Sequence, residues 1–290
     1  MLEFNTIAEL RKALKAERSK GKTTAFVPTM GYFHDGHLTL MQEAKKRADC
    51  VVVSIFVNPT QFGPNEDLDK YPRNLERDRS LAAKVGVDFI FIPTVDEIYP
   101  KGYSTYIDVE GITNALCGRQ RPGHFRGVAT VVTKLLNIVQ PDIALFGEKD
   151  WQQLIVIKRL VSDLNMDVEI IGIPIVREPD GLAMSSRNSY LSAGERSAAL
   201  VISKSLTLAA NMVDRGEVSA SKIASAQKEL IEKEKAVKLE YLEICDPETF
   251  APVEEIKADT LVAIAAWVGK ARLIDNTIIR PKLENPGNLG

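Results

Sequence analysis

The stretch Pro28–His37, with the sequence PTMGYFHDGH, separates two segments of different character. Residues 23–27 before it are a largely apolar run typical of a buried strand, and residues 38–46 after it favour a helix. Two histidines and two glycines therefore lie where a strand passes into a helix. Ligands of an open α/β sheet bind beyond the carboxyl ends of its strands, and the N–H groups at a helix start attract anions. The stretch thus predicts a nucleotide-phosphate site with histidine as the nearest donor.

Two other interpretations of the histidine pair stay open. The pair could belong to an incidental turn with exposed imidazoles. His34 and His37 could also bind zinc, although the only other histidine, His124, is distant in sequence and no cysteine cluster completes a tetrahedral set. Gly31 and Gly36 favour the phosphate site, because glycine lets the backbone approach a ligand or adopt a positive φ.

The rest of the first 176 residues alternates strand and helix patterns. A capping box at Thr6 begins the first helix. The further predicted strands cover residues 50–57, 88–93, 142–146 and 168–176, and the further predicted helices cover residues 73–85, 128–139 and 151–164. Residues 105–109 are interpreted as another strand, and residues 117–127 as a basic, glycine-rich loop. The alternation predicts an α/β fold with a mostly parallel sheet flanked by helices.

The pattern changes at a turn-like segment near residues 176–182. Two helices, at about residues 192–214 and 219–234, precede strand-like runs at residues 239–245, 261–268 and 271–279. Helices followed by adjacent strands indicate a second, smaller α+β C-terminal domain. We therefore divide the chain into residues 1–178 and 179–290, and expect residues 283–290 to be a frayed tail.

Composition and charge exclude several classes of protein. A formal net charge of -2 gives no reason to expect nucleic acid or an anionic membrane as the main partner. No apolar run approaches the roughly 20 residues that span a bilayer, and the N-terminal residues lack the pattern of a secretory signal. Cys50, Cys117 and Cys245 are far apart and odd in number, so we expect buried thiols in a reducing cytoplasm.

Three further polar loops are candidates for a small-molecule site. Gln61, after the second predicted strand, could hydrogen-bond a polar substrate. Lys149 follows the strand at 142–146 and lies at a helix start, where the helix dipole disfavours a cation. An anionic ligand beside Lys149 would remove this conflict. Residues 184–187 offer two hydroxyls and a guanidinium suited to phosphate oxygens. The alternatives are an ordinary loop around Gln61, a helix start whose acidic residues suit the dipole after residue 147, and a solvated turn at 184–187. Together, however, the loops predict one crevice.

Two common nucleotide motifs are missing from the sequence. No GxGxxG follows the first predicted strand, and GxxxxGK[ST] does not occur. The sequence therefore supports neither a usual dinucleotide fold nor a Walker-type ATPase.

Five segments together carry a family resemblance: PTMGYFHDGH at 28–37, SIFVNPTQFGPNEDLDKYPR at 54–73, RPGHFRGVATVVTKLL at 121–136, FGEKDWQQL at 146–154 and VREPDGLAMSSRN at 176–188. They resemble the motifs of the pantoate–β-alanine ligase family, within the superfamily of nucleotidyltransferases that carry the HIGH motif. Trp151 replaces the tyrosine of the family pattern, and MSSR occurs where class I synthetases have KMSKS. The resemblance extends over nearly the whole chain.

The resemblance implies a two-step reaction with ATP and Mg²⁺. Pantoate would attack the α-phosphorus of ATP, and β-alanine would then attack the pantoyl adenylate, so that pantothenate, AMP and pyrophosphate form. It also implies a cytoplasmic homodimer, whose Rossmann-like N-terminal domain is closed over ATP by the smaller domain. No protein side chain is assigned as a metal ligand.

The resemblance assigns roles to residues that match the family motifs. His34, His37 and Lys149 would be catalytic, with His37 as the proton donor. Gln61 and Gln153 would hold pantoate, and Gln61 would also lie near β-alanine. ATP would lie along Met30, Gly31, Tyr32, Phe33, His34, Asp35, Gly36, His37, Gly147, Glu148, Lys149, Asp150, Val176, Met184, Ser185, Ser186 and Arg187.

Two other functions stay open at this point. One is a nucleotidyltransferase that joins a nucleotide to a phosphate ester, and the other is a catalytically silent nucleotide-binding module. The sequence does not assign separate chemical roles to His34 and His37, nor does it identify the base that deprotonates β-alanine. His124 and Arg126 are either supporting groups of the site or plain loop residues.

Overall fold

The computed structural model describes residues 1–64 and 66–281. It divides into two compact units, the first formed by Met1–Val176 with Met184–Ser186, and the second by Arg177–Ala183 with the chain from Arg187 onward. The division between residues 178 and 179 stays a prediction. The predicted tail at residues 283–290 lies outside the described residues.

The first unit is built on a parallel sheet, which has six strands in the described part of the chain. The strands are β1 (Leu2–Phe4), β2 (Thr24–Thr29), β3 (Cys50–Ile55), β4 (Phe89–Phe91), β5 (Ile143–Gly147) and β6 (Glu169–Ile173). Their order is β1-β4-β3-β2-β5-β6, and every pairing is parallel. The predicted α/β class, with a parallel sheet flanked by helices, is confirmed.

The helices of the first unit connect and flank these strands. They are α1 (Ile7–Arg18), α2 (Asp35–Arg47), α3 (Leu75–Val85), α4 (Val95–Ile98), α5 (Leu116–Gln120), α6 (His124–Val139) and α7 (Trp151–Asp163). From β2 the chain proceeds outward to β3 and β4, and it then returns to place β5 on the other side of β2. The switch point of the sheet, where α/β folds bind ligands, therefore lies between β2 and β5.

Apolar side chains explain why the central strands form. Val51, Val52 and Val53 of β3 are fully buried, as expected for a parallel strand covered on both faces. Leu40 and Met41 of α2 belong to the same buried cluster as Val51 and Val53. This packing fixes the start of α2, and so the stretch at 28–37, against the end of β2.

The sequence misses one strand and wrongly predicts another, because the local pattern is weak in both segments. The three residues of β1 are too few for a periodicity and were not predicted as a strand. Residues 105–109 form no strand in the structure. Side chains of α6 hold this segment instead: the N–H of Ile107 donates to Thr130 Oγ1 at 3.0 Å, and Arg126 pairs with Asp108 at 3.4 Å.

The predicted loop at 117–127 is largely helical. It contains most of α5 and the first turn of α6, which begins at His124 rather than at residue 128. Its basic and glycine-rich composition hides these helix ends, since Gly123 caps α6 with a φ of 82°. Similarly, Asn74 caps α3, and its side chain accepts from the N–H of Arg77 at 3.1 Å, so this helix begins at Leu75.

The second unit has the predicted α+β composition. It contains α8 (Ala193–Asp214), α9 (Ala220–Glu232) and an antiparallel sheet of β7 (Val237–Cys245), β8 (Thr260–Val268) and β9 (Ala271–Ile279), in that order. Ser192 and Glu195 form the predicted capping box of α8. Over residues 1–64 and 66–281, no helix has the length and apolar character needed to cross a bilayer.

Candidate active site

Four polar loops lie at one edge of the parallel sheet. They follow β2, β3, β5 and β6, which are neighbours in the order β3-β2-β5-β6. Because these strands are parallel, their carboxyl ends meet at the same edge. The structure thus brings together the loop at 30–37, Gln61, the loop at 147–150 and the segment 184–186.

A buried carboxylate fixes the loop after β2. Gly31 and Tyr32 both have left-handed backbone conformations, with φ values of 82° and 53°. Asp78 of α3 is 1% exposed, and its two oxygens accept from the N–H groups of Tyr32 and Phe33, each at 2.7 Å. Burial raises the pKa of Asp78 against the opposing effect of these hydrogen bonds. A Cβ on Gly31 would lie 2.9 Å from Ile55 Cγ2, so the turn requires glycine.

Sequence reasoning missed Asp78. It lies in the charged run Arg77-Asp78-Arg79, which is typical of a solvated helix face. Its partners are 45 and 46 residues away in sequence, so no local spacing indicates the contact.

The hydrogen bond between the two motif histidines fixes the tautomer of His37. His34 caps α2, and its backbone N–H donates to Nδ1 of His37 at 3.3 Å. Nδ1 is therefore the acceptor, and the proton of a neutral ring lies on Nε2. Burial, together with the nearby positive charge of His34 and Lys149, holds the pKa of His37 well below its ordinary value. His37 consequently offers one neutral N–H donor.

Residues 184–186 lie against the loop at 30–37. The N–H of Met184 donates to the carbonyl of Val176 at 2.9 Å, and the hydroxyl of Ser186 donates to the carbonyl of Tyr32 at 3.4 Å. A Cβ added to Gly36 would lie 3.9 Å from Met184 Cβ. Arg187, the last predicted ATP-binding residue, belongs to the second unit.

The loop after β5 carries the predicted catalytic lysine. Glu148–Asp150 form a 3₁₀ turn that leads into α7. The ammonium of Lys149 lies 4.0 Å from the carboxylate of Asp150, and its charge reaches His37, whose pKa it lowers. Gln153 is half-buried on the first turn of α7.

Asn58 fixes the orientation of the Gln61 amide. The buried Asn58 accepts from the N–H of Thr60 at 3.4 Å and donates to the carbonyl of Gly127 at 3.1 Å, so its oxygen and nitrogen cannot be exchanged. Its nitrogen also donates to Gln61 Oε1 at 3.1 Å, and Gln61 Nε2 donates to the thioether of Met30 at 3.2 Å. Sulfur is a weak acceptor. The side-chain amide of Gln61 therefore directs its N–H donors, rather than its oxygen, toward Met30 in the loop at 30–37.

The structure gives His124 and Arg126 different contacts, although the sequence alone does not distinguish their roles. Nδ1 of His124 donates to the main-chain carbonyl of Gln61 at 2.9 Å. The guanidinium of Arg126 instead lies over the ring of Tyr106, 4.4 Å from its centroid, and pairs with Asp108. His124 thus belongs to the site and Arg126 to the segment beside it.

Comparison with known proteins identifies the family. Residues 3–278 match the sequence model of the family described as pantoate-beta-alanine ligase. The chain belongs to the pantoate–β-alanine ligase family. The resemblance that the motifs predict is therefore confirmed.

Pantothenate synthetases of several organisms are similar to this chain over nearly their whole length. That of Pelotomaculum thermopropionicum is 57% identical over 279 residues, which cover 96% of this chain and 99% of the relative. That of Thermotoga petrophila is 58% identical over 276 residues, which cover 95% and 99%.

Solved structures of the family share the fold. The pantothenate synthetase of Thermus thermophilus has a TM-score of 0.93 at 46% identity, and the match covers 97% of this chain and 100% of that chain. The pantoate-beta-alanine ligase of Francisella tularensis, complexed with beta-gamma ATP and beta-alanine, has a TM-score of 0.79 at 35% identity, with 96% and 97% covered.

Proposed function

We propose that this protein condenses (R)-pantoate with β-alanine through a pantoyl adenylate, releasing pantothenate, AMP and pyrophosphate. The observation that carries the proposal is the neutral His37, whose Nε2–H donor lies at the sheet edge that also holds Lys149 and Gln61. Membership of the pantoate–β-alanine ligase family supports it. So does the ligase of Francisella tularensis, which is complexed with an ATP species and β-alanine.

In the first step, the pantoate carboxylate attacks the α-phosphorus of ATP and pyrophosphate departs. Attack on phosphorus needs positioning and charge stabilisation rather than a protein nucleophile. Nε2–H of His37 donates to an α-phosphate oxygen, and Lys149 neutralises charge that develops toward the pyrophosphate. The neutral amides of Gln61 and Gln153 orient pantoate without adding a competing charge.

In the second step, the amine of β-alanine attacks the acyl carbon of the adenylate and AMP departs. We propose that His37 is the donor at the phosphate of the leaving AMP. Its low pKa keeps the ring neutral at pH 7, so Nε2–H remains on the ring as a hydrogen-bond donor to the phosphate oxygens. A mixed anhydride hydrolyses easily, so we propose that the smaller domain closes over the site and excludes water.

We propose that ATP occupies the loop at 30–37, the loop at 147–150, Val176 and residues 184–187. The first loop supplies main-chain N–H groups at the start of α2, which suit phosphate oxygens. The hydroxyls of Ser185 and Ser186 and the guanidinium of Arg187 suit the departing pyrophosphate.

Mg²⁺ fits this site as a companion of ATP. Throughout the part of the chain that the structure describes, no group of three or more His, Cys, Asp or Glu side chains is arranged to hold a metal ion. Mg²⁺ commonly binds through substrate phosphates and water, with few protein ligands. The phosphates would thus bring the ion, which would neutralise their charge.

We also propose that the protein is a cytoplasmic homodimer, as the family resemblance implies. Cys50, Cys117 and Cys245 are buried thiols, which fits a reducing compartment. Light scattering of the purified protein would test the dimer, and a monomeric mass at working concentration would contradict it.

Product analysis tests the reaction. We expect AMP and pyrophosphate to form, and pantothenate to require pantoate, β-alanine and ATP together. Release of ADP instead of AMP would contradict the adenylate intermediate. A dinucleotide-like product made without β-alanine would favour the nucleotidyltransferase, and ATP binding without turnover would favour the silent module.

A Gln61→Ala variant tests the acid pocket. Loss of a hydrogen bond to a charged substrate costs about 1.5–3 kcal/mol, so we expect the KM for pantoate to rise by roughly 10- to 100-fold. The KM for ATP should change far less. Gln42→Ala, which alters an exposed glutamine on α2, is the matched control and should behave like the wild type. An effect on ATP alone would remove Gln61 from the pantoate pocket.

A further inference from the structure

Two side-chain donors converge on the main-chain carbonyl of Gln61. His124 Nδ1 donates to this oxygen at 2.9 Å, and Arg121 Nη2 donates to it at 3.3 Å. Arg121 follows the end of α5 and His124 begins α6, so the two donors lie 60 and 63 residues along the chain from Gln61. A carbonyl that accepts from two side chains cannot rotate without losing both bonds, so the 3₁₀ turn Pro59–Gln61 is held at its last residue.

Glu66 holds Arg121 in place, and Arg121 in turn holds His124. Arg121 Nε donates to Glu66 Oε1 at 2.7 Å, and Nη2 forms a second, short bond to the other carboxylate oxygen. The side chains of Arg121 and Glu66 are only 15% and 25% exposed, so the bidentate pair is screened from much of the solvent. Arg121 Nη1 then donates to Nε2 of His124 at 3.0 Å.

These bonds fix the protonation state of His124. Its Nε2 faces a permanent donor and must accept, while its Nδ1 faces a carbonyl and must donate. Burial and the charge of Arg121 lower the pKa of His124 to about 4, so the neutral ring persists at pH 7. A protonated ring would lose its bond from Arg121.

The backbone of α6 supports the same turn from another side. A Cβ on Gly127 would lie 2.3 Å from the carbonyl oxygen of Thr60 and 2.6 Å from the nitrogen of Gln61. The helix therefore touches the turn main chain to main chain. With Asn58 holding the amide oxygen of Gln61, both ends of this residue are fixed.

We propose that Arg121, His124 and Glu66 are positioning residues for the acid substrate, which act by fixing Gln61 so that its amide N–H donors face pantoate. The inference rests on the proposed role of Gln61 in pantoate binding. None of the three residues needs to touch pantoate, ATP or β-alanine. Their removal should thus impair one substrate selectively.

The experiment compares variants of His124 in the full-length enzyme. His124→Leu removes the donor to the Gln61 carbonyl and should raise the KM for pantoate about tenfold. The KM for ATP and the kcat should stay within about twofold. His124→Asn places an amide N–H near the position of Nδ1 and should restore most of the affinity for pantoate. Arg126→Leu, two residues along α6, is the control and should match the wild type.

Glu66→Gln keeps the shape of the carboxylate and provides a second route if His124→Leu folds poorly. The neutral amide weakens the ion pair with Arg121. We therefore expect a smaller rise in the KM for pantoate, about two- to fivefold, with an unchanged KM for ATP. A change confined to the KM for β-alanine, or to kcat, in either variant would overturn the proposal.

A double variant separates this inference from the proposed function. If Gln61→Ala alone leaves the KM for pantoate unchanged, the proposed role of Gln61 fails. If Gln61→Ala raises it, then adding His124→Leu should have little further effect, because the amide that His124 positions is gone. Fully additive effects would show that His124 acts independently of Gln61 and would overturn the positioning role alone.

Discussion

The loops that follow the neighbouring strands β2 and β3 are fixed by opposite chemistry. After β2, the buried carboxylate of Asp78 accepts from the main-chain N–H groups of Tyr32 and Phe33. After β3, the donors Arg121 and His124 converge on the main-chain carbonyl of Gln61. Each loop is thus held by a side chain that complements the exposed backbone group. Neither Asp78 nor the pair Arg121 and His124 is itself proposed to contact a substrate.

Glycine makes close approach possible in both loops, but at different places. Gly31 lies within the first loop, where its positive φ and its contact with Ile55 leave no room for a Cβ. Gly127 lies on α6, where a Cβ would collide with the backbone of Thr60. A turn can therefore depend on a glycine in its own sequence or on one in the element that supports it.

His37→Ala should have the largest effect, because it removes the proposed donor to the α-phosphate. We expect turnover to fall by about 10²–10⁴-fold, the usual range for a positioned acid–base group. The hydrogen bond from His34 is also lost, but this half-buried contact contributes little to folding. Release of AMP and pyrophosphate measures the effect, and thermal unfolding checks the fold. Turnover near that of the wild type would remove His37 from its role.

The pH dependence of stability should reveal the neutral His124 of the second loop. Its pKa is about 4 in the folded protein, below the ordinary value near 6.5, so the unfolded chain binds a proton at pH values where the folded chain does not. This contribution is fully present above pH 6.5 and is lost as the pH falls through 4.

Between pH 7.5 and 4.5, the wild type should lose about 2–3 kcal/mol more of its free energy of unfolding than His124→Asn does. Denaturant titrations of both proteins at the two pH values measure the difference. His124→Asn is the reference for the wild type, because the two proteins have all other titrating groups in common. Parallel curves would mean that His124 is not held neutral.

Asp78→Asn should have the smallest effect and should act on the other loop. The asparagine oxygen still accepts from one of the two backbone N–H groups, but the asparagine NH₂ group then faces the other N–H. A buried N–H left without its acceptor costs about 1–3 kcal/mol of stability. We expect the KM for ATP to rise while the KM for pantoate changes little. Asp69→Asn, at an exposed position, is the control and should lie within about 0.5 kcal/mol of the wild type. A selective rise in the KM for pantoate would show that the two loops are not independently fixed.

Predictions from the sequence succeed where one element carries its own signal. The β-branched run of β3 predicts a doubly covered strand, and the capping box at Ser192 marks the start of α8. They fail where neighbours decide the structure. Residues 105–109 have a strand-like composition, yet α6 holds them through side chains. The segment 117–127 looks like a loop because Gly123 and its basic neighbours mask two helix ends.

The sequence by itself determined the alternation of strands and helices and the family of the chain, and it supplied the motif at 28–37 for which a phosphate site is proposed. These properties follow from periodicity and from motifs of neighbouring residues, which short-range sterics and burial impose. The tertiary structure decided the tautomer of His37, the burial of Asp78 and the separation of His124 from Arg126. These depend on which groups meet in space, and Asp78 and His124 meet theirs across 45 to 63 residues of chain. A contact over that distance satisfies a buried polar group without leaving any pattern in the local sequence.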